Sequence, residues 1–120
     1  MANPFTHIEL NSNDLPTSKA FYQKMFDWQY QDLPNMPYTL ITAGSGPGGG
    51  MQKNPMPGAP TAWLAYVGVA DLVAATAKAK ALGATVLQDV TAVPGFGSLS
   101  IIADPAGAVL GLWQDKPRTS

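Results

Sequence analysis

The chain has 120 residues, of which 46% are hydrophobic and 12% charged, and its formal net charge at pH 7 is −1. This length suits one compact domain, and the scattered Lys and Arg residues predict no binding to nucleic acid or to an anionic membrane. The chain has no cysteine, which excludes disulfides and thiolate chemistry.

The first element is predicted to be a half-buried strand. Residues Phe5–Asn11 alternate between polar and apolar side chains, as strands with one buried face do. This alternation places His7 and Glu9 on one face and Ile8 and Leu10 on the other. The two polar side chains therefore face away from the predicted core.

A helix and three strands are predicted to complete the first half. Asn13 or Asp14 can cap the helix, and Pro16 suits its first turn. Apolar side chains recur at helical spacing as far as Met25. The strands are predicted at Trp28–Leu33, at Pro37–Thr42 and, after a flexible loop at Gly44–Gly50, near Gly50–Lys53.

The second half repeats this order after a Pro-rich linker at Asn54–Pro60. Asp71 is predicted to cap a helix over Leu72–Leu82, which Gly83 ends. The predicted strands are Ala62–Val69, Thr85–Val90, Ser98–Ala103 and Ala108–Gln114.

The two halves also match residue by residue. At an offset of 57 (71 − 14), Asp14 and Leu15 fall on Asp71 and Leu72. Such a repeat predicts two similar units about a pseudo-twofold axis, with a cleft between them. We therefore expect a single α+β domain over residues 1–120, made of two βαβββ modules. Module one is 5–53, the linker 54–60, module two 61–115 and the tail 116–120.

Three short motifs carry a family resemblance. They are His7 followed after six residues by Asp14-Leu15, then Ala20-Phe21-Tyr22, and Asp104-Pro105-x-Gly107 before the last strand. With this element order, the chain resembles the glyoxalase / bleomycin-resistance / extradiol-dioxygenase (vicinal oxygen chelate) superfamily from about Phe5 to Asp115. The resemblance implies a curved mixed sheet with the helices on its convex side.

The resemblance also implies where a metal would bind. Metal-dependent members hold one divalent ion with four side chains, and those positions carry over to His7, Gly50, Leu64 and Gly111, with Gly50 uncertain by a residue or two. Only His7 can donate to a metal, and the chain has one His and one Glu. A site of two His and one carboxylate cannot be built from one such chain. We expect no metal or other cofactor; a divalent ion, if bound, would involve His7.

The candidate catalytic pair is His7 and Glu9, which lie two residues apart on one strand. A His beside a carboxylate can act as a general base or orient a hydroxyl group of a substrate. A structural role, with His7 hydrogen-bonded to Asn11, Thr42 or water, is the alternative. We expect the cleft to bind a small organic ligand. Its predicted ligand-binding residues are Gln52, Leu64, Tyr66 and Trp113.

Three functions remain open. The leading one is a small-molecule-binding protein of this fold with a degenerate metal site. The second is a metal-dependent lyase, isomerase or dioxygenase, which would need unusual ligands such as His7, Glu9, Gln52 and water, or His7 from two chains. The third is a subunit whose cleft serves only a protein partner.

The charged share is about half of the usual value, so we expect a homodimer that covers part of this surface. The N-terminus shows no signal-peptide pattern, and the longest apolar stretch is interrupted by charged residues. A cytoplasmic protein is therefore expected.

Overall fold

The structure is a computed structural model that describes residues 3–117, and it divides into two compact units. The first unit is His7–Leu64, and the second combines the described residues before His7 with those after Leu64. Residues 118–120 of the predicted tail lie outside the described residues.

The order of elements confirms the α+β class and the two βαβββ modules. The elements of the first module are β1 (Phe5–Ser12), α1 (Leu15–Met25), β2 (Gln29–Asp32), β3 (Thr39–Thr42) and β4 (Gly48–Lys53). Those of the second module are β5 (Ala62–Gly68), α2 (Leu72–Ala81), β6 (Thr85–Val93), β7 (Gly97–Ala103) and β8 (Val109–Asp115). Of the described helices, which have 11 and 10 residues, neither is long and apolar enough to span a membrane.

The sheet of the first unit has the strand order β2-β3-β4-β1. Strand β1 runs parallel to β4, with Glu9 opposite Gly50, and the other two pairings are antiparallel. Leu10, Ile41 and Met51 form the buried core on one face of this sheet. Because strand side chains alternate between faces, His7 and Glu9 belong to the face opposite Leu10.

Helix α1 begins where the sequence places its cap. The Asp14 carboxylate accepts hydrogen bonds from the Thr17 backbone N–H at 3.3 Å and from the Thr17 hydroxyl at 2.7 Å, which satisfies donors that the helix leaves unpaired. The helix is not buried along its predicted apolar face: Phe21 and Met25 are 55% and 56% exposed. Only its Leu15 and Tyr22 pack against the core.

The sheet of the second unit has the strand order β5-β8-β7-β6. Strand β5 runs parallel to β8, with Tyr66 opposite Gly111, and the core consists of Leu72, Ile102 and Leu112. The Asp71 carboxylate caps α2 by accepting from the Ala74 N–H at 3.0 Å. After the helix, Gly83 takes a φ of +103°, which residues with a side chain rarely adopt.

Most strand boundaries differ from the sequence prediction by one to three residues; β3, for example, begins at Thr39 and not at Pro37. Two of these differences have an identifiable structural cause. Strand β4 begins at Gly48, so the end of the predicted Gly44–Gly50 loop is strand. Glycine has a low propensity for strands, but the pairing with β1 holds Gly48, Gly49 and Gly50 in the strand conformation. Strand β6 continues three residues past Val90 to Val93, and its shifts of register interrupt the alternation that would have revealed its length.

Candidate functional site

Five polar side chains of the first unit form one connected set, which we call the polar network: His7, Glu9, Asn11, Tyr38 and Gln52. The first three alternate along β1. The parallel register places Asn11 opposite Gln52 of β4, and Tyr38 precedes β3 by one residue. The network therefore draws on three neighbouring segments.

Tyr38 connects the two predicted catalytic residues. Its hydroxyl donates to Glu9 Oε1 at 2.9 Å and lies 2.7 Å from His7 Nε2. A phenol has one proton to donate, so in this arrangement Nε2 of His7 carries the proton that Tyr38 accepts. The imidazole thus donates to the Tyr38 hydroxyl, and the hydroxyl donates to the Glu9 carboxylate.

The carboxylate of Glu9 also accepts from the opposite side. Asn11 Nδ2 donates to Glu9 Oε2 at 3.2 Å, and Gln52 Nε2 donates to Asn11 Oδ1 at 2.8 Å. Glu9 is only 7% exposed. A buried carboxylate is costly unless its oxygens are hydrogen-bonded, and the network supplies donors to both of them.

Burial is the main influence on the ionisation of His7. Desolvation lowers the pKa of His7 below its usual value of 6.5, and the negative charge of Glu9 opposes this shift. The imidazole is therefore neutral at pH 7, which agrees with a single proton placed on Nε2. A neutral His can accept a proton from a reacting group.

Gly50 leaves the space that Tyr38 occupies. A Cβ at residue 50 would overlap with the Tyr38 hydroxyl and ring. Residue 50 faces Leu40 of β3 and Glu9 of β1 across the sheet. Glycine at this position is therefore a packing requirement of the polar network.

The second unit also contains a glycine covered by a tyrosine, although this tyrosine comes from a different element of the module. Tyr66 of β5 lies opposite Gly111 of β8, and a Cβ at residue 111 would overlap with the Tyr66 ring. Gly50 and Gly111 are the two glycines to which the resemblance carries over metal-ligand positions. In each unit, a tyrosine lies where the side chain of such a ligand would begin.

The remaining predicted ligand-binding residues are placed as follows. Leu64 belongs to the first unit and is buried, at 9% exposure. Trp113 belongs to the second unit, is half-buried, and donates from Nε1 to Asp115 Oδ1 at 2.7 Å. Tyr66 is buried at 3% exposure. Of the predicted site, contacts within the first unit therefore bring His7, Glu9 and Gln52 into one network.

The donor set does not fit the metal that the family fold implies. Across residues 3–117, no three His, Cys, Asp or Glu side chains are grouped so that they could hold an ion. Asp14 and Asp71 cap helices, and Asp104 accepts from the backbone N–H groups of Ala106 and Ala108 in a turn. These carboxylates serve the backbone, as the sequence analysis expected.

Neither Tyr38 nor Asn11 was among the predicted catalytic or ligand-binding residues. Asn11 could have been found, because it continues the alternation of His7 and Glu9. Tyr38 had a weaker signal, since it lies outside the observed strand and meets His7 across 31 positions of sequence. One hydrogen-bond partner of His7 in the structure is the Tyr38 hydroxyl.

The paired βαβββ modules and the polar face of β1 define a glyoxalase-like class of protein. A family model for the Glyoxalase/Bleomycin resistance protein/Dioxygenase superfamily matches residues 5–112. The chain belongs to this superfamily, which confirms the resemblance found in the sequence.

Curated relatives are longer than this chain. A Mycobacterium bovis protein named "Putative glyoxylase CFP32" is 31% identical over 114 residues, which cover 88% of this chain and 44% of that protein. The anthracycline biosynthesis protein DnrV of Streptomyces peucetius is 27% identical, over 89% of this chain and 45% of its own length. The chain thus spans less than half the length of these relatives.

Solved structures support the fold. Methylmalonyl-CoA epimerase from Mycobacterium tuberculosis is similar with a TM-score of 0.66 and 13% identity, over 95% of this chain and 89% of the epimerase. Protein BH1468 from Bacillus halodurans, described as hypothetical, is similar with a TM-score of 0.69 and 12% identity, over 100% of this chain and 99% of BH1468. At such identities the likeness concerns the fold alone.

Proposed function

We propose that this protein binds a small organic molecule at the polar network and does so without a resident metal. The observation that supports this most directly is the Glu9 carboxylate, which is buried and held by donors from Tyr38 and Asn11. A buried charged network of this kind is expensive to maintain for stability alone. Family membership agrees with a role in binding small ligands.

The network suits a ligand with hydroxyl, carbonyl or amide groups. His7, Tyr38 and Gln52 are half-buried, so they are partly shielded from water and still within reach. Hydrogen bonds in such partly desolvated surroundings are stronger and more selective than those at an exposed surface. Amide side chains that can both donate and accept favour a ligand with several oxygen or nitrogen atoms.

Acid–base catalysis is a second function that the same geometry supports. The chain of hydrogen bonds from His7 through Tyr38 to Glu9 could move a proton between a substrate and the carboxylate. The Mycobacterium bovis relative is named a glyoxylase, which favours an enzyme. A metal-dependent lyase, isomerase or dioxygenase remains the alternative, and it would require ligands that residues 3–117 do not offer as a group.

A thermal-shift screen against a library of small organic acids, aldehydes, amides and aromatic compounds tests the binding function. We expect at least one compound class to raise the melting temperature of the wild-type protein. The shift should be lost in Q52A and E9Q. It should persist in Q88A, which alters a glutamine whose bond to Thr91 is exposed. A library with no effect, or equal shifts in Q52A and Q88A, would contradict the proposal.

We further propose that the protein is a cytoplasmic homodimer. The argument is the small share of charged residues, 12% of the chain, because a surface poor in charge is often covered in an assembly. Sedimentation equilibrium across a hundredfold range of concentration would test the dimer. A constant mass equal to one chain would contradict it.

A further inference from the structure

The two glycines lie on the last strands of the two modules, whereas their tyrosines come from different elements: Tyr66 lies on β5 and Tyr38 just before β3. Gly50 is at the end of the first module and Gly111 at the end of the second, and each is covered by a tyrosine of its own unit. Loss of a ligand side chain would by itself leave space at each glycine. In this chain that space is filled by a ring.

We propose that Tyr38 fills the space that a ligating side chain at residue 50 would need, so that the first unit is built to exclude a divalent metal ion at the position that the family resemblance implies. The statement deepens the proposed metal-free binding function and rests on it. Tyr38 is then a specificity-determining residue: it sets which chemistry the site can accept.

Two contacts of Tyr38 carry this inference. The first is the overlap between its ring and any Cβ at residue 50, which prevents a longer ligating side chain there. The second is its hydroxyl, which engages His7 Nε2 and Glu9 Oε1, the imidazole and carboxylate atoms of the polar network that could ligate a metal. An ion at Nε2 would have to displace the phenol, and the imidazole proton would have to move to Nδ1.

The chemistry of the remaining donors favours the same conclusion. A metal needs deprotonated ligands and usually at least three protein atoms. Asn11 is already hydrogen-bonded to Glu9 and to Gln52, and neutral amide oxygens are weak ligands for transition metals. A phenol in this position supplies a neutral hydrogen-bonding group in place of a positive charge.

Zinc titration with His7 as the reporter tests the proposal. The chain contains a single histidine, so its imidazole NMR signals are assigned without ambiguity. We expect wild-type protein to show no saturable Zn²⁺-dependent shift of these signals. Y38F keeps the ring but frees His7 and Glu9 from the hydroxyl, so it should gain less Zn²⁺ affinity than Y38A. In Y38A the space beside Gly50 opens, and Zn²⁺ affinity should rise by at least about tenfold. H7A added to Y38A should abolish the gain.

Saturable binding of one Zn²⁺ per wild-type chain with a shift at His7 would overturn the inference. So would a Y38A protein that folds and binds Zn²⁺ no better than wild type, or a Y38F protein that gains as much as Y38A. If Y38A does not fold, as judged by circular dichroism, Y38S serves as the second small variant under the same criteria. Failure of the organic-compound screen would contradict the proposed function without changing any of these zinc results.

Discussion

Tyr66 and Gly111 are opposite each other on β5 and β8, and the tyrosine ring lies so near the glycine that residue 111 cannot carry a side chain without displacing it. In the other unit, the Tyr38 ring likewise fills the space beside Gly50, although Tyr38 lies just before β3 and is not opposite the glycine. In each pair, a side chain added at the glycine would overlap with the tyrosine ring. Substitutions at these glycines should therefore destabilise the protein.

Substitution of Gly50 by Ala should destabilise the protein and disturb the polar network. The new methyl group would overlap with the Tyr38 ring, and overpacking of this kind costs about 1–3 kcal/mol. Gly48→Ala on the same strand is the matched control, because its Cβ would meet only the Ile41 carbonyl oxygen at 3.6 Å. Urea denaturation of both variants checks this. Equal stability of the two variants would contradict the packing described at Gly50.

The stability of the protein should fall as the pH drops below about 6.5, partly through His7. Burial lowers the pKa of His7 in the folded protein below the value of about 6.5 that it has in the unfolded chain. As the pH falls through the range between these two pKa values, the unfolded chain binds a proton that the folded protein does not, which favours unfolding. The stabilisation that His7 contributes is therefore complete above pH 6.5 and decreases as the pH falls towards the pKa of the folded protein. Urea denaturation at pH 7.5 and at pH 5.5 should show a larger loss for wild type than for His7→Gln.

The pKa of His7 also tests the electrostatic effect of Glu9. Glu9 raises the pKa of His7 and so works against the larger effect of burial. In Glu9→Gln the negative charge is absent, and the pKa of His7 should fall further. NMR titration of the single imidazole measures this directly. An upward change in the variant would show that Glu9 does not act on His7 through its charge.

Local signals in the sequence were sufficient for the helices and for half of the candidate site. Asp14 and Asp71 cap helices through hydrogen bonds to residues three positions away, so the chain itself contains the whole interaction. The alternation of β1 likewise placed His7 and Glu9 on one face. These features depend on neighbours in sequence, which is why they could be predicted.

The contacts of Tyr38 depend on the pairing of strands that are distant in sequence. Its ring reaches His7 and Glu9 only because β3 pairs with β4 and β4 pairs with β1. A single sequence contains no periodicity that reports this. The same holds for the end of β6, where the pairing shifts register and the last three residues of the strand were not predicted.

Thr6→Val should stabilise the protein. The Thr6 hydroxyl is buried and has no hydrogen-bond partner within residues 3–117, so valine of nearly the same shape removes a desolvated polar atom at a gain of about 1 kcal/mol. Thr39→Val is the matched control, since the Thr39 hydroxyl donates to Asp32 Oδ1 at 2.6 Å and its loss should destabilise. A Thr6→Val protein less stable than wild type would show that the hydroxyl has a partner in solution.

Asn11→Asp should destabilise the protein at pH 7 by about 1–3 kcal/mol, the range for loss of a hydrogen bond to a buried charged group. The Asn11 amide donates to Glu9 Oε2 at 3.2 Å, and an aspartate there would replace this donor by a second negative charge. The second charge adds repulsion to the loss of the donor. Urea denaturation at pH 7 measures the change, and Asn13→Asp is the control with the same change of charge, because the Asn13 amide donates to the Ala59 carbonyl oxygen at 2.9 Å in exposed surroundings. Equal losses in the two variants would contradict a buried Glu9 carboxylate that depends on the Asn11 donor.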